Sequence, residues 1–191
     1  MKRAAVFLDR DGTINEQMGY INHPSRFKLL PGAAEAVRLL NDSGYLSIIV
    51  SNQSGVARGY YPIDLVHETH LLLEEKLKEQ AGAVVDAIVF CPHHPQGVVP
   101  EFTVECRCRK PKTGLMDQAC RDFHIDLGRS FMIGDTCTDM EFARQGGVKG
   151  VLVKTGYGLG EIAYVLPGRR AKPVHIADGL LDAVRWVAHG E

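Results

Sequence analysis

Five short, largely apolar runs at residues 4–8, 46–50, 87–90, 130–133 and 151–153 fix what this chain can fold into. A strand apolar on successive residues has no face to give to water, so it belongs in a sheet covered on both sides, as parallel sheets are. The stretches between these runs carry helical spacing instead. From Gly32 to about Asp42, Ala33, Ala36, Val37 and Leu40 recur at i, i+3, i+4 and i+7, and Gly44 stands where a C-terminal cap belongs. A second helix is expected to start near Pro62, with proline at its first position, and to run to about Gln80 with Val66, Leu73 and Leu77 on one side. Further helices are expected over 114–124, 138–145 and 178–189, the last with Leu180, Leu181, Val184, Val187 and Ala188 on one face. Strict alternation of this kind predicts an α/β fold, a mostly parallel, doubly wound, Rossmann-like sheet with helices on both faces.

Two segments break the pattern. Residues 12–31 hold Gly19, Pro24 and Pro31 and lack periodicity, and residues 91–113 are rich in proline and hold three of the five cysteines. Loops of such length are functional or held by something. Five cysteines is an odd number, and in a cytosolic chain the clustering of three of them points to a metal rather than to disulfides. The five apolar residues before Asp9 are too few for a signal-peptide core, and no run approaches the roughly 20 needed to span a membrane. A cytoplasmic protein with no membrane partner is expected. With 22 basic against 23 acidic residues and no basic tract, there is no electrostatic footprint for nucleic acid. The 191 residues are read as a single domain, residues 1–191, expected to act as a monomer.

Polar fragments sit where the strands end. Asp9 and Asp11 follow the first run, Ser51 and Asn52 the second, and Asp135 with Asp139 the fourth, while Arg109 and Lys110 precede a helix. In a parallel sheet all four fragments gather along the carboxyl edge, where open α/β sheets bind ligands. Carboxylates, a hydroxyl, an amide and fixed cations suit phosphoryl transfer, which needs a nucleophile, positive charge on the phosphoryl oxygens and a metal ion. Asp9 can attack phosphorus. Asp11 can protonate the leaving oxygen and later deprotonate water. Ser51 and Lys110 can hold phosphoryl oxygens, and a few carboxylate or carbonyl oxygens suit Mg²⁺.

Asp9-Arg10-Asp11-Gly12-Thr13, Ser51-Asn52, Lys110 and Gly134-Asp135 with Asp139 resemble, in order, the four motifs of the haloacid dehalogenase superfamily of phosphatases. A narrower resemblance, to the D-glycero-D-manno-heptose 1,7-bisphosphate 7-phosphatase family, rests on residues 7–15, 51–59, 91–95 and 106–111. It implies a small Mg²⁺-dependent phosphatase without a separate cap domain, acting through an aspartyl-phosphate on a sugar phosphate. The pathway implied is ADP- or GDP-heptose precursor synthesis for lipopolysaccharide or surface glycans. It further implies Asp9 as nucleophile, Asp11 as acid/base, and Mg²⁺ on Asp9, the backbone carbonyl of Asp11 and Asp135. Ser51, Arg109 and Lys110 would steady the phosphoryl group, and Gly19, Tyr20, Asn52, Gln53 and Ser54 would complete the substrate site. Gln17 and Met18 do not match the family loop, and Thr136 replaces the lysine that often follows the metal-binding aspartate. Histidinol-phosphate phosphatase is the second enzyme reading, and a non-catalytic binding module on a phosphatase scaffold is the reading of another class.

Cys91-x-His93 and Cys106-x-Cys108 offer four ligands in two close pairs, a set that fits tetrahedral Zn²⁺. The family carries zinc at the matching positions, which makes the expected role structural. His94 is the alternative to His93, and buried thiols are the alternative to a metal site. Cys120 and Cys137 are expected to pack, as are Met116, Met132, Met140 and Trp186. His67, His70, Lys154, Arg169 and Arg170 are expected at the surface. Arg58 is read either as reaching a second phosphate or hydroxyl or as a solvated loop residue.

Overall fold

A computed structural model describes residues 2–189. Six parallel strands form one sheet in the order β3-β2-β1-β4-β5-β6. They are β1 (Ala5–Leu8), β2 (Leu46–Asn52), β3 (Ala87–Cys91), β4 (Phe131–Gly134), β5 (Lys149–Val153) and β6 (His175–Ala177). The helices between them are α1 (Ala33–Asp42), α2 (Ile63–Ala81), α3 (Gly114–Asp122) and α4 (Cys137–Gly146), with α5 (Leu180–His189) last. In β1, Leu8 registers with Ile49 of β2 on one side and Ile133 of β4 on the other. The chain winds outward from β1 to β3 and then returns to the far side of β1, so the order reverses between β1 and β4. That reversal opens a crevice at the carboxyl ends of these two strands.

Side chains alternate across the sheet with a period of two, and each face meets its own helices. Val6, Leu8, Ile49, Ile133 and Val151 pack with the apolar stripes of α1, α2 and α5. Ala5, Phe7, Ile48, Val50 and Met132 pack with Leu115, Met116 and Ala119 of α3 and with Phe142 of α4. Wholly apolar strands follow from this two-sided burial.

The expected elements are present with ends moved by at most two residues. Pro62 caps α2 from outside rather than opening it, since its ψ of 159° is extended. Asp178 and Gly179 precede α5, and Asp178 instead pairs with Lys154 at 2.6 Å. The edge strand β6 and the irregular helical turns over Gly158–Gly160, Glu161–Val165 and Leu166–Gly168 were not anticipated, being too short to carry a period. His70 corrects a surface expectation. It is buried on α2 with its ring edge-on to Phe90, 5.3 Å between centroids, while His67 is exposed. Among the described residues no helix is long and apolar enough to cross a membrane.

Candidate active site

Three strand ends deliver the carboxylates and hydroxyl that the sequence places together. Asp9 and Asp11 follow β1, Ser51 and Asn52 end β2, and Asp135 follows β4 with Asp139 in the first turn of α4. A cavity of about 260 Å³ opens on them, lined by Asp9, Asp11, Ser51, Lys110, Asp135 and Asp139 among others. The loop over 91–113 brings Lys110 in from above. Its ammonium donates to Asp9 Oδ1 at 2.6 Å and to Asp139 Oδ1 at 2.7 Å, with all three groups nearly or wholly shielded from water. Burial works against the lysine charge, but the two carboxylates outweigh it and raise the Lys110 pKa.

The carboxylates are tuned in opposite directions. Burial, with Asp139 nearby, pushes Asp9 up to about 7 against the pull of Lys110. Burial and the charges of Asp9 and Asp139 push Asp135 up to about 8. Burial also works to raise Asp11, but the Arg10 charge and hydrogen bonds from Asn15, Gln53 and Arg10 outweigh it and hold that carboxyl below its ordinary value. The guanidinium of Arg10, itself buried, lies 2.8 Å from Asp11 Oδ2 and 3.0 Å from Oδ1. Pairing of this kind is what keeps a desolvated carboxylate ionised.

Oxygens of Asp9, Asp135 and Asp139 lie within 4.8 Å of one another, hard donors of the type Mg²⁺ prefers. Asp139 is already engaged, by Lys110 at one oxygen and by the Thr136 hydroxyl at 2.7 Å at the other, where it closes a capping box on α4. Asp135 is different. Its Oδ2 accepts from the backbone N–H of Tyr157 at 2.8 Å, and it is wedged between Gly12 and Gly156, where any Cβ would fall 2.2 or 2.1 Å from that oxygen. Its Oδ1 is buried with no partner. An unpaired buried acceptor beside a second raised carboxylate is a site that a divalent cation satisfies.

The residues expected to bind substrate divide. Gly19, Asn52 and Arg109 line the cavity. Tyr20 stands near the loop after β2, its ring edge-on to Tyr60 at 4.7 Å. Asn52 uses its amide to clamp Lys110, accepting from the Lys110 N–H at 3.0 Å and donating to its carbonyl at 3.2 Å. Gln53 is buried and turned inward, and neither it nor Ser54 lines the cavity. Gln17, Thr136, Thr138 and Tyr157 line it as well. Thr136 and Thr138 sit beside the Gly134-Asp135 motif and were within reach of sequence reasoning, whereas nothing in the sequence marks Tyr157.

The second cluster lies on the 91–113 loop. Sγ of Cys91 is 3.5 Å from that of Cys106 and 3.1 Å from that of Cys108, and Cys106 and Cys108 are 3.3 Å apart. His93 Nδ1 is 3.3 Å from Cys108 Sγ and 3.7 Å from Cys91 Sγ. Tetrahedral corners at zinc–thiolate lengths are about 3.8 Å apart and a thiolate–imidazole edge is about 3.5 Å, so the three sulfurs need only spread by a few tenths of an ångström to seat a tetrahedral soft cation. A thiol hydrogen bond from Cys91 is the main reason Cys108 is pushed down to about 5, toward the thiolate a metal needs. His94 points elsewhere, with Nε2 3.0 Å from Arg58 Nη2. Cys137 is buried, and Cys120 is half-buried against the core.

Known proteins resemble this chain in sequence and in fold. A model of the HAD-hydrolase-like family matches residues 107–183. D-glycero-D-manno-heptose-1,7-bisphosphate 7-phosphatase of Thermosynechococcus vestitus is 47% identical over 98% of this chain and 96% of its own length. The corresponding phosphatase of Haemophilus ducreyi is 43% identical over 82% of this chain and 86% of its own. Among solved structures, the D,D-heptose 1,7-bisphosphate phosphatase of B. bronchiseptica, complexed with magnesium and phosphate, superposes with a TM-score of 0.83. It is 30% identical and covers 95% of this chain and 96% of that one.

Proposed function

We propose, from the premise that this chain belongs to the heptose bisphosphate phosphatases of the haloacid-dehalogenase-like hydrolases, that it removes the 7-phosphate of D-glycero-D-manno-heptose 1,7-bisphosphate. The chain is a phosphoric monoester hydrolase. Phosphoryl transfer rests on Asp9 and Asp139 paired to the buried ammonium of Lys110, with Asp135 beside them at a polar cavity. The substrate rests on 47% identity over nearly the whole chain to a heptose bisphosphate phosphatase.

In this reading Asp9 attacks phosphorus and forms an aspartyl-phosphate, dividing one difficult displacement into two. Asp11 is the proton carrier. Ionised in the free enzyme, it takes up a proton as the anionic substrate arrives beside it. It passes that proton to the departing sugar oxygen and then takes one from the water that attacks next. Lys110 neutralises charge on the phosphoryl oxygens and, by its pull on Asp9, offsets part of the burial that works to protonate the attacking carboxylate. The Ser51 hydroxyl and the Arg109 guanidinium bind the remaining oxygens, Arg109 being anchored by a 3.5 Å contact to the His93 carbonyl. Asp9 and Asp135, with the backbone carbonyl of Asp11, would hold Mg²⁺, which supplies charge neutralisation on the transferring group. Cys91, His93, Cys106 and Cys108 would hold Zn²⁺, closing the loop that ends in Arg109 and Lys110. The proposed setting is a single-domain enzyme of residues 1–191 in the cytoplasm, supplying activated-heptose precursors.

Phosphate release from heptose 1,7-bisphosphate and from histidinol phosphate, at equal concentrations, tests the substrate. The expected result is a higher kcat/KM on the bisphosphate, with the 1-phosphate retained in the product. Faster turnover of histidinol phosphate would reverse the assignment.

A further inference from the structure

We infer that Tyr61, outside the cavity, is a positioning residue for the phosphoryl site, its hydroxyl fixing the Gln53 amide so that one NH₂ serves both Ser51 and Asp11. The inference rests on the acid/base reading of Asp11 given above. Gln53 Nε2 lies 2.7 Å from Ser51 Oγ and 2.8 Å from Asp11 Oδ2, and Tyr61 donates to Gln53 Oε1 at 3.1 Å. Tyr61, Gln53 and Ser51 are all buried.

The chain of hydrogen bonds has one consistent direction. A carboxylate only accepts, so the amide must turn its nitrogen to Asp11 and leave its oxygen to a donor. Tyr61 is that donor. Burial pushes its pKa up to about 12, which keeps the phenol protonated. The amide NH₂ then occupies an acceptor site of Ser51, and no other partner of that hydroxyl is present among the described residues. Its O–H is therefore left to point at a phosphoryl oxygen in the cavity. With the amide turned over, its oxygen would face Asp11 and would take the Ser51 proton. Asp11 has other holds, in Arg10 and Asn15, but Gln53 alone ties it to Ser51.

The backbone is shaped for this ring. A Cβ on Gly55 would fall 2.3 Å from two ring carbons of Tyr61, so the aromatic ring occupies the space that any other residue at 55 would fill. Gly55 thereby admits Tyr61 to a position from which its hydroxyl reaches the amide.

A double-mutant cycle of Tyr61→Phe and Gln53→Met, assayed on an alkyl phosphate and on p-nitrophenyl phosphate, tests the coupling. Tyr61→Phe should lower kcat on the alkyl ester by about 3- to 10-fold, the worth of one net hydrogen bond. The loss should be smaller on p-nitrophenyl phosphate, whose leaving group needs no proton. In the Gln53→Met background Tyr61→Phe should change nothing further. An undiminished Tyr61 effect in that background overturns the inference, as does wild-type kcat for Tyr61→Phe alone. If Gln53→Met does not fold, the same cycle is run with Gln53→Leu, and an undiminished Tyr61 effect there overturns the inference. Asp11→Asn assayed alongside separates the layers. Wild-type turnover there removes the acid/base reading and this inference together, whereas an inactive Asp11→Asn beside an unaffected Tyr61→Phe removes only the inference.

Discussion

The carboxylate–lysine cluster and the Cys/His loop each bring four polar side chains within reach of one another, but only the first carries its own counter-charge. Lys110 sits between Asp9 and Asp139, and Thr136 and Asp139 cap each other at the start of α4. In the loop, three thiols and an imidazole face one another with no opposite charge among them. The first arrangement is anchored on strand ends and closed by ion pairs. The second lies on a long loop whose cysteines pack on the core, and it is the one we propose to be closed by a cation. The two are coupled in sequence, because Cys106 and Cys108 lead directly into Arg109 and Lys110. Asn52 of β2 completes the junction by holding both backbone groups of Lys110.

Breaking the loop should have the larger effect. Cys106→Ala, or prolonged chelation, should lower thermal stability by several kcal/mol, on the order of a weak structural zinc site, and should lower kcat in parallel as Lys110 is released. Metal content and Tm measured on the same samples check this. A chelated protein with unchanged Tm and kcat would mean that the loop supports itself. Lys110→Met should come next. It leaves two buried carboxylates without their cation, a loss of about 3–5 kcal/mol in denaturant unfolding, while the bound zinc remains stoichiometric.

His70 extends the charged side beyond the cavity. Burial first, then the Arg10 cation, holds its folded pKa at about 3 against 6.5 unfolded. The unfolded chain therefore binds a proton that the folded chain refuses. Stability is full above pH 6.5 and is lost as pH falls toward 3, by about 2 kcal/mol at pH 5. In His70→Phe, which keeps a ring against Phe90, that part of the acid slope should vanish from urea melts at pH 7 and pH 5. The smallest effect concerns the raised carboxylates. Because Asp9 and Asp135 stand at about 7 and 8 without metal, a divalent cation must displace protons. Calorimetry in buffers of different ionisation enthalpy should show Mg²⁺ affinity rising with pH through 7–8 and release of between one and two protons per ion near pH 7.

The sheet and the strand-end acids were readable because their signals are local. Apolar runs mark strands buried on both faces, and Asp9, Asp11, Ser51 and Asp135 follow such runs directly. The Cys91, His93, Cys106 and Cys108 grouping was legible in the same way, as two close pairs. What escaped depends on contacts distant in sequence. Arg10 reads as a charged residue between two acids, yet it is buried and paired with Asp11. Tyr61 lies two residues ahead of α2 and reaches the site through Gln53. His70 shows no i, i+4 partner, and its burial follows from how α2 packs on Phe90 of β3. The edge strand β6, three residues long, carries no period.

The most direct test of the central claim, that Asp9 is the nucleophile, is acid-quenched mixing with ³²P-labelled substrate followed by peptide mapping, on the wild type and on Asp9→Asn. We expect transient label on the peptide containing Asp9, and neither label nor phosphate release in the folded Asp9→Asn protein. Label on another residue, or phosphate released at the wild-type rate by Asp9→Asn, would contradict it.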